Sequence, residues 1–307
     1  MKRVLLIAVL LVSACSHAKP PAADGFRNEV IADIAWNNLA PHTQDQVERL
    51  LSEGTGKSGP ASFEAQATWA DSIRDSDRPT GSNYAHYRAW HWINIPLNAA
   101  GSYQQALAAE APLCPYPRLA GLASAGPAED CIVDKIEQFE TELSNPATTA
   151  SEKVLALKYL IHLVGDVHEP MQTIDDNDRG GSCVFVTTPD GLTATLQGYW
   201  SINLPRLTTN GATPRTAAAT LDAEISHAEK ADWHAFDPAG WAAESANVGR
   251  SNAYDMDVGA RPTCEHRNVK APIPLSSAYQ ARAVEATKLQ LKKAGIRLAD
   301  VLNNALP

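Results

Sequence analysis

Apolar residues recur at helical spacing through most of the chain. Segments 28–39, 43–51, 61–74, 130–143, 151–167, 214–227, 239–248 and 276–294 each carry a stripe of Ile, Leu, Val, Ala or aromatic residues, at the period that turns one helix face toward a core. Clusters of Gly and Pro at 54–59, 112–117, 123–127, 177–182 and 209–214 punctuate these segments as turns. A strand signal stands out in residues 183–195, where Val184-Phe185-Val186 leads into Pro189-Asp190-Gly191, the composition of a hairpin. The predicted class is all-α with one short β-hairpin. Ser151-Glu152-Lys153 offers a capping residue and an early acid for its helix. The last helix is expected to pause at Ala294-Gly295 and resume through Ile296-Arg297-Leu298-Ala299.

The first residues follow another pattern. Met1-Lys2-Arg3 precedes an apolar run over 4–12, a charged start and a short core that read as an export signal and fall short of a membrane span. Val12-Ser13-Ala14-Cys15 then reads as a lipobox. It predicts a signal peptide over 1–14, a lipid on Cys15, a Pro- and Ala-rich tether within 15–24 and one folded domain over 25–307. An ordinary cleaved signal beside a chance cysteine is the alternative. Ser16, in place of an Asp, favours an outer membrane where the host has one. The localisation expected is therefore that of a bacterial cell-envelope lipoprotein, facing the periplasm or the outside and held at the membrane through Cys15.

Cysteine arithmetic bears on the same question. The five cysteines are an odd number, and assigning Cys15 to the lipid leaves Cys114, Cys131, Cys183 and Cys264 for two disulfides in an oxidising compartment. Cys114 with Cys131 and Cys183 with Cys264 is the pairing expected here, one of three that four cysteines allow. The formal net charge of −9 counts against tight binding to long polyanions.

The chemistry concentrates in a few apolar surroundings. His162 and Asp166 stand four apart in Lys158-Tyr159-Leu160-Ile161-His162-Leu163-Val164-Gly165-Asp166, so one helix face presents both and can chelate a cation. A structural His-Asp hydrogen bond is the competing explanation. Trp69-Ala70-Asp71 and Trp90-His91-Trp92-Ile93-Asn94-Ile95-Pro96 add a second carboxylate and a second imidazole. Taken alone, Asp71 reads as a helix surface charge and His91 as a packed core histidine. Two carboxylates with two imidazoles suit zinc or another divalent first-row metal. The tryptophans Trp69, Trp90, Trp92 and Trp200 fit packing around a buried site better than base stacking.

These motifs, in this order, resemble the zinc-dependent S1/P1 nucleases, with a more distant similarity to the zinc phospholipases C. The resemblance runs over nearly the whole mature chain, through Ile31-Ala32-Asp33-Ile34-Ala35, Trp69-Ala70-Asp71-Ser72-Ile73-Arg74, Trp90-His91-Trp92-Ile93-Asn94-Ile95-Pro96, Tyr159-Leu160-Ile161-His162-Leu163-Val164-Gly165-Asp166-Val167-His168-Glu169-Pro170, Asp178-Arg179-Gly180-Gly181 and Ala294-Gly295-Ile296-Arg297-Leu298-Ala299-Asp300-Val301-Leu302-Asn303. It implies a helical phosphoesterase with three zinc ions, cleaving single-stranded nucleic acid or nucleotide 3′-phosphates. Asp71, His91, His162 and Asp166 match the ligands of one zinc, and Arg74 falls where the family places a basic residue near the scissile phosphate. Asp71 and Arg74 are thus the catalytic candidates.

The remaining ligand positions have changed. A second zinc would need a His at Gln172 and a His and an Asp at Gln197 and Ser201, and a third would need a His at Asn28 together with a free terminal amine. His168 matches a supporting histidine of the family. The resemblance therefore implies a degenerate member holding a single zinc, with weak or lost phosphodiesterase activity. Three alternatives stay open: a non-catalytic envelope lipoprotein that binds a ligand or partner around a structural zinc, a phosphoesterase rearranged around Asp71, Arg74, His168 and Asp175, Asp176 or Asp178, and a phospholipid phosphoesterase. The Asp175-Asp176-Asn177-Asp178 run by itself reads as a solvated turn.

Overall fold

Helix Ala150–Val167, whose residues from Ala156 to Val167 are all buried, forms the axis of the computed structural model, which describes residues 25–78, 81–99, 121–256, 262–265 and 271–307. A helix apolar on every face must be covered on every face. Here helix Ile132–Ser144 packs along it, with Phe26–Asn37, Pro41–Thr55 and the long C-terminal Ser277–Ala305 closing the remaining sides. Smaller helices at Pro60–Gln66, Trp69–Arg74, Pro214–Ala223, His227–Asp232 and Pro238–Val248 complete the shell. The described part is thus mostly helical, as predicted from the apolar stripes.

Caps and prolines set the helix starts. The Thr149 hydroxyl accepts from Glu152 N, Ser276 from Tyr279 N and Thr213 from Thr216 N, each satisfying a backbone donor that the first turn leaves open. The cap of the central helix is therefore Thr149; Ser151 lies inside the first turn. Pro41, Pro60, Pro214 and Pro238 occupy first-turn positions, where a missing N–H costs nothing.

Three helical expectations are corrected. Segment 61–74 is two helices, broken at Ala67-Thr68, and segment 214–227 ends at Ala223, where Ser226 and Glu229 build a capping box for a separate helix. The pause at Gly295 does not occur. Helix Ser277–Ala305 runs through it, because a Cβ at Gly295 would lie 2.4 Å from Ile34 Cγ2 and the glycine serves close approach of two helices rather than a stop.

The expected hairpin pairs Phe185–Thr187 with Thr193–Thr195, and Ile273–Pro274 adds a parallel third strand at Val186↔Ile273. The disulfide Cys183–Cys264 stands at the base of this sheet. Cys131 is also disulfide-bonded; its expected partner Cys114 lies outside the described residues, as do Cys15, the signal and the tether. A second, two-residue pairing was not foreseen: Ile95–Pro96 runs parallel to Ile174–Asp175. Ile93 N donates to Gln172 O at 2.9 Å and Leu97 N to Asp175 O at 2.8 Å, fastening the segment after His91 to the segment after Asp166.

Candidate metal centre

Three segments deliver the candidate ligands. Helix Ala150–Val167 presents His162 and Asp166 on one face, the 3₁₀ turn Arg88–His91 ends on His91, and helix Trp69–Arg74 carries Asp71 in its first turn. Both imidazoles are fully buried and Asp166 is 1% exposed, whereas the Asp71 side chain is 20% exposed and marks the side nearest solvent. Asp71, His91 and His162 each offer one atom within 4.8 Å of the others.

The atoms facing inward are close to one another. His162 Nε2 lies 3.1 Å from His91 Nδ1, and Asp71 Oδ1 is 3.5 Å from the first and 3.7 Å from the second. Asp166 Oδ2 is 2.9 Å from both nitrogens. Bond lengths of zinc to nitrogen and oxygen place neighbouring tetrahedral ligands about 3.3–3.5 Å apart, so the separations among Asp71, His91 and His162 suit the ion, with Asp166 set against both imidazoles.

Hydrogen bonding behind His162 orients its ring. Nδ1 lies 2.6 Å from the carbonyl oxygen of Ala67, which can only accept, so Nδ1 carries a proton and Nε2 is the nitrogen turned into the cluster, where it holds either a second proton or a metal ion. That carbonyl is free because the helix breaks there: the unpredicted gap at Ala67-Thr68 has a use. His91 Nε2 is buried with no hydrogen-bond partner, which leaves Nδ1 as the nitrogen engaged with the cluster.

Charge at the centre favours a cation. Burial alone would lower the His162 pKa, but Asp166 and Asp71 outweigh it and push it up to about 10. Burial likewise opposes ionisation of Asp166 and Asp71, yet His162 and its neighbours hold both carboxyls below the usual range. Burial and the Arg74 charge push His91 down. Two buried acids with two imidazoles thus draw either a proton or a metal ion into one small space.

Arg74 Nη1 is 2.6 Å from Asp71 Oδ1, and its Nε and Nη2 bond both oxygens of Asp75 at 2.8 and 3.0 Å. The guanidinium therefore lies at the more exposed edge of the cluster. His168 is turned away from it. Nδ1 donates to Val164 O at 2.7 Å and Nε2 accepts from Arg297 at 2.8 Å, and burial with the Arg297 charge lowers its pKa to about 3. The ring is a neutral link between two helices.

Of the positions read as altered ligands, Gln172 and Gln197 serve the surrounding structure, the Ser201 hydroxyl is buried without a hydrogen-bond partner, and Asn28 touches the cluster itself. Gln172 contributes its carbonyl to the Ile93 pairing, and Gln197 Oε1 accepts from Ser182 Oγ at 3.3 Å. Asn28 Nδ2 lies 3.1 Å from His162 Nδ1 and 3.3 Å from Asp166 Oδ1. The acidic run 175–178 builds a turn: Asp175 Oδ1 accepts from Gly180 N at 2.9 Å, and Asp178 receives Tyr254 OH at 2.8 and 2.9 Å. Among the described residues, Asp71, His91 and His162 form the single group of three or more His, Cys, Asp or Glu side chains spaced to hold a metal.

Of the tryptophans, Trp90 and Trp200 are buried, with indole N–H groups donating to Pro127 O at 2.8 Å and Tyr279 OH at 2.9 Å. They pack the core. Trp69 is half-buried, its ring under Lys158 Nζ at 4.9 Å. Two side chains at the centre were not among the candidates, Arg27, which carried no sequence signal, and Glu169, which stood only as one letter of a longer motif. Arg27 pairs with Asp166 Oδ1 and approaches Glu169 Oε2 at 3.8 Å; helical spacing says nothing about partners brought together across 139 residues.

A mostly helical fold around a buried histidine and aspartate cluster defines a class of protein able to hold a divalent metal at its core. Comparison with known proteins gives that class a family: the S1/P1 Nuclease family model matches residues 28–307, and the chain belongs to that family. It is 27% identical over 207 residues to "Nuclease S1" of Aspergillus oryzae, covering 66% of this chain and 62% of that protein. Similarity to "Endonuclease 2" of Arabidopsis thaliana is 23% over 188 residues, covering 60% and 56%. A longer match joins it to "Nuclease PA3" of a Penicillium species, 21% identical over 280 residues and covering 89% and 94%. The first two matches thus span less than two thirds of their relatives' length.

Proposed function

We propose that this chain is a single-metal member of the S1/P1 nuclease family, in which Asp71, His91, His162 and Asp166 hold one zinc ion and hydrolysis of single-stranded nucleic acid or nucleotide 3′-phosphates is weak or lost. The observation that carries the reading is the cluster itself, with inward-facing donors 2.9 to 3.7 Å apart. Zinc, when bound, supplies positive charge that polarises a phosphoryl oxygen or lowers the pKa of a bound water. Asp71 and Arg74, on the more exposed edge, are the side chains through which a phosphate would approach. Asp71 would hold or release a proton there, and Arg74 would offer its fork to the anion.

Weak activity follows from the donor count. Diester hydrolysis by several metals uses one to activate water and others to clamp the phosphate and the leaving group. Gln172, Gln197 and Ser201 are neutral and bind zinc poorly. Four protein donors on one ion are also the pattern of a structural site, which favours as a second reading a ligand-binding envelope protein with zinc as a fold element.

Protein purified in the presence of zinc should contain about one metal per chain, as the ligand count implies. It should show trace hydrolysis of single-stranded DNA, RNA and 3′-nucleotides. His162→Ala should release the metal and lower the melting temperature. Three tightly held ions, or ordinary nuclease rates that His162→Ala abolishes, would overturn the single-metal reading; full metal with no hydrolysis on any substrate would select the structural one.

A further inference from the structure

Asp166 faces two ways. Its Oδ2 lies 2.9 Å from His91 Nδ1 and His162 Nε2, while Oδ1 is paired with Arg27 Nη2. The same guanidinium donates from Nε to Asn28 Oδ1 at 3.1 Å and places Nη1 3.8 Å from Glu169 Oε2. Three oxygens from three residues therefore surround one cationic group. All three residues are buried, Asp166 at 1%, Glu169 at 2% and Asn28 at 4% exposure.

Such an arrangement is demanding. Two buried carboxylates on one side of a site are costly unless a positive charge stands between them. Carboxylate oxygens are donors that zinc takes, as harder divalent ions do. Arginine meets the need without a metal: it is charged at every physiological pH and its planar fork reaches several acceptors at once. Packing makes the delivery possible. A Cβ on Gly165 would lie 2.4 Å from Asn28 Oδ1, so the glycine beside Asp166 lets helix Phe26–Asn37 approach closely enough to bring Arg27 and Asn28 to the carboxylate.

There is also room behind the guanidinium. Arg27 Nη1 has no hydrogen-bond partner, and neither do Thr287 Oγ1 or the two polar side-chain atoms of Gln290. These residues, with Glu169 and Trp200, line a cavity of about 10 Å³, the space of about one water.

We propose that Arg27 is a resident cation occupying a second cation position of the centre, and that it thereby limits the chain to one metal ion. Removing it turns Asp166 Oδ1, Asn28 Oδ1 and Glu169 Oε2 into an oxygen site for a second divalent ion. The inference rests on the single-metal reading of the Asp71, His91, His162 and Asp166 cluster. Arg27 acts here through Asp166 as a positioning residue, so the decisive readout is metal stoichiometry rather than hydrolysis.

The test compares full-length wild type with Arg27→Ala, Arg27→Gln and Arg27→Lys, each loaded with zinc, freed of loose metal by gel filtration and assayed for metal content, with circular dichroism as the check on folding. Wild type and Arg27→Lys are expected to retain one ion, and the two neutral variants a second. A neutral variant that unfolds alone should regain its helical spectrum on addition of zinc, since the ion takes the place of the guanidinium. Folded neutral variants that hold one ion or none, an Arg27→Lys variant that holds two, a wild type that already holds two, or an unfolded variant that zinc does not rescue each overturn the inference. Wild type that binds no zinc instead sinks the single-metal reading beneath it.

Discussion

Asp33 lies on the buried face of helix Phe26–Asn37, with Oδ2 lacking a hydrogen bond and Arg215 3.9 Å away. Burial, reinforced by nearby Glu64, raises its pKa from 3.8 to about 6. A raised carboxyl favours the folded state while it is protonated. That contribution is complete below pH 3.8 and fades as the pH climbs through about 6. Asp33→Asn removes the ionisation, so it should stabilise the protein by about 1–2 kcal/mol at pH 8 and leave it little changed near pH 4. Urea unfolding at the two pH values measures this, and an equal effect at both would sink the argument. Loss of the Arg215 contact matters little, because that side chain is 58% exposed. At this scale the sequence exposed part of the centre. Asp71, His91, His162 and Asp166 announce themselves as polar groups among apolar neighbours, and the structure brings them into one cluster. Arg27 does not, because an arginine near a helix start looks like any surface charge until Gly165 lets its helix close on Asp166.

Among elements, legibility followed length. The stripes of Ile132–Ser144, Ala150–Val167 and Ser277–Ala305 persist over several turns and can be read directly. Pairings of two residues, such as Ile95–Pro96 with Ile174–Asp175, are too short to show an alternating pattern. The break at Ala67-Thr68 was equally silent, since a partner 95 residues away takes the freed carbonyl. Gly295 shows a local rule yielding to packing. Its substitution by Ala gains about 1 kcal/mol of helix propensity, but the new methyl meets Ile34 Cγ2 at 2.4 Å and overpacking costs typically about 1–3 kcal/mol. Gly295→Ala should therefore lower the urea midpoint modestly; a rise would show that the two helices separate at no cost.

The whole molecule joins a core helix, a metal-competent cluster at its end and a surface of net negative charge. Fold class and family were legible in the sequence because they depend on ordered motifs; the number of ions a centre holds depends on which side chains meet in space. The described residues contain no helix long and apolar enough to cross a membrane, and the disulfides fit an exported protein. We propose that Cys15 provides the lipid anchor. Cys15→Ser should abolish incorporation of labelled fatty acid and release the chain from the membrane fraction, and an unchanged distribution would remove the lipoprotein reading. The bond between Cys183 and Cys264 closes a segment with a sequence separation of 81. A protease that cuts anywhere within 184–263 leaves the two pieces joined, so a nicked chain migrates as one species on a denaturing gel and separates only after reduction. Damage to the backbone in that region need not release either half from the other.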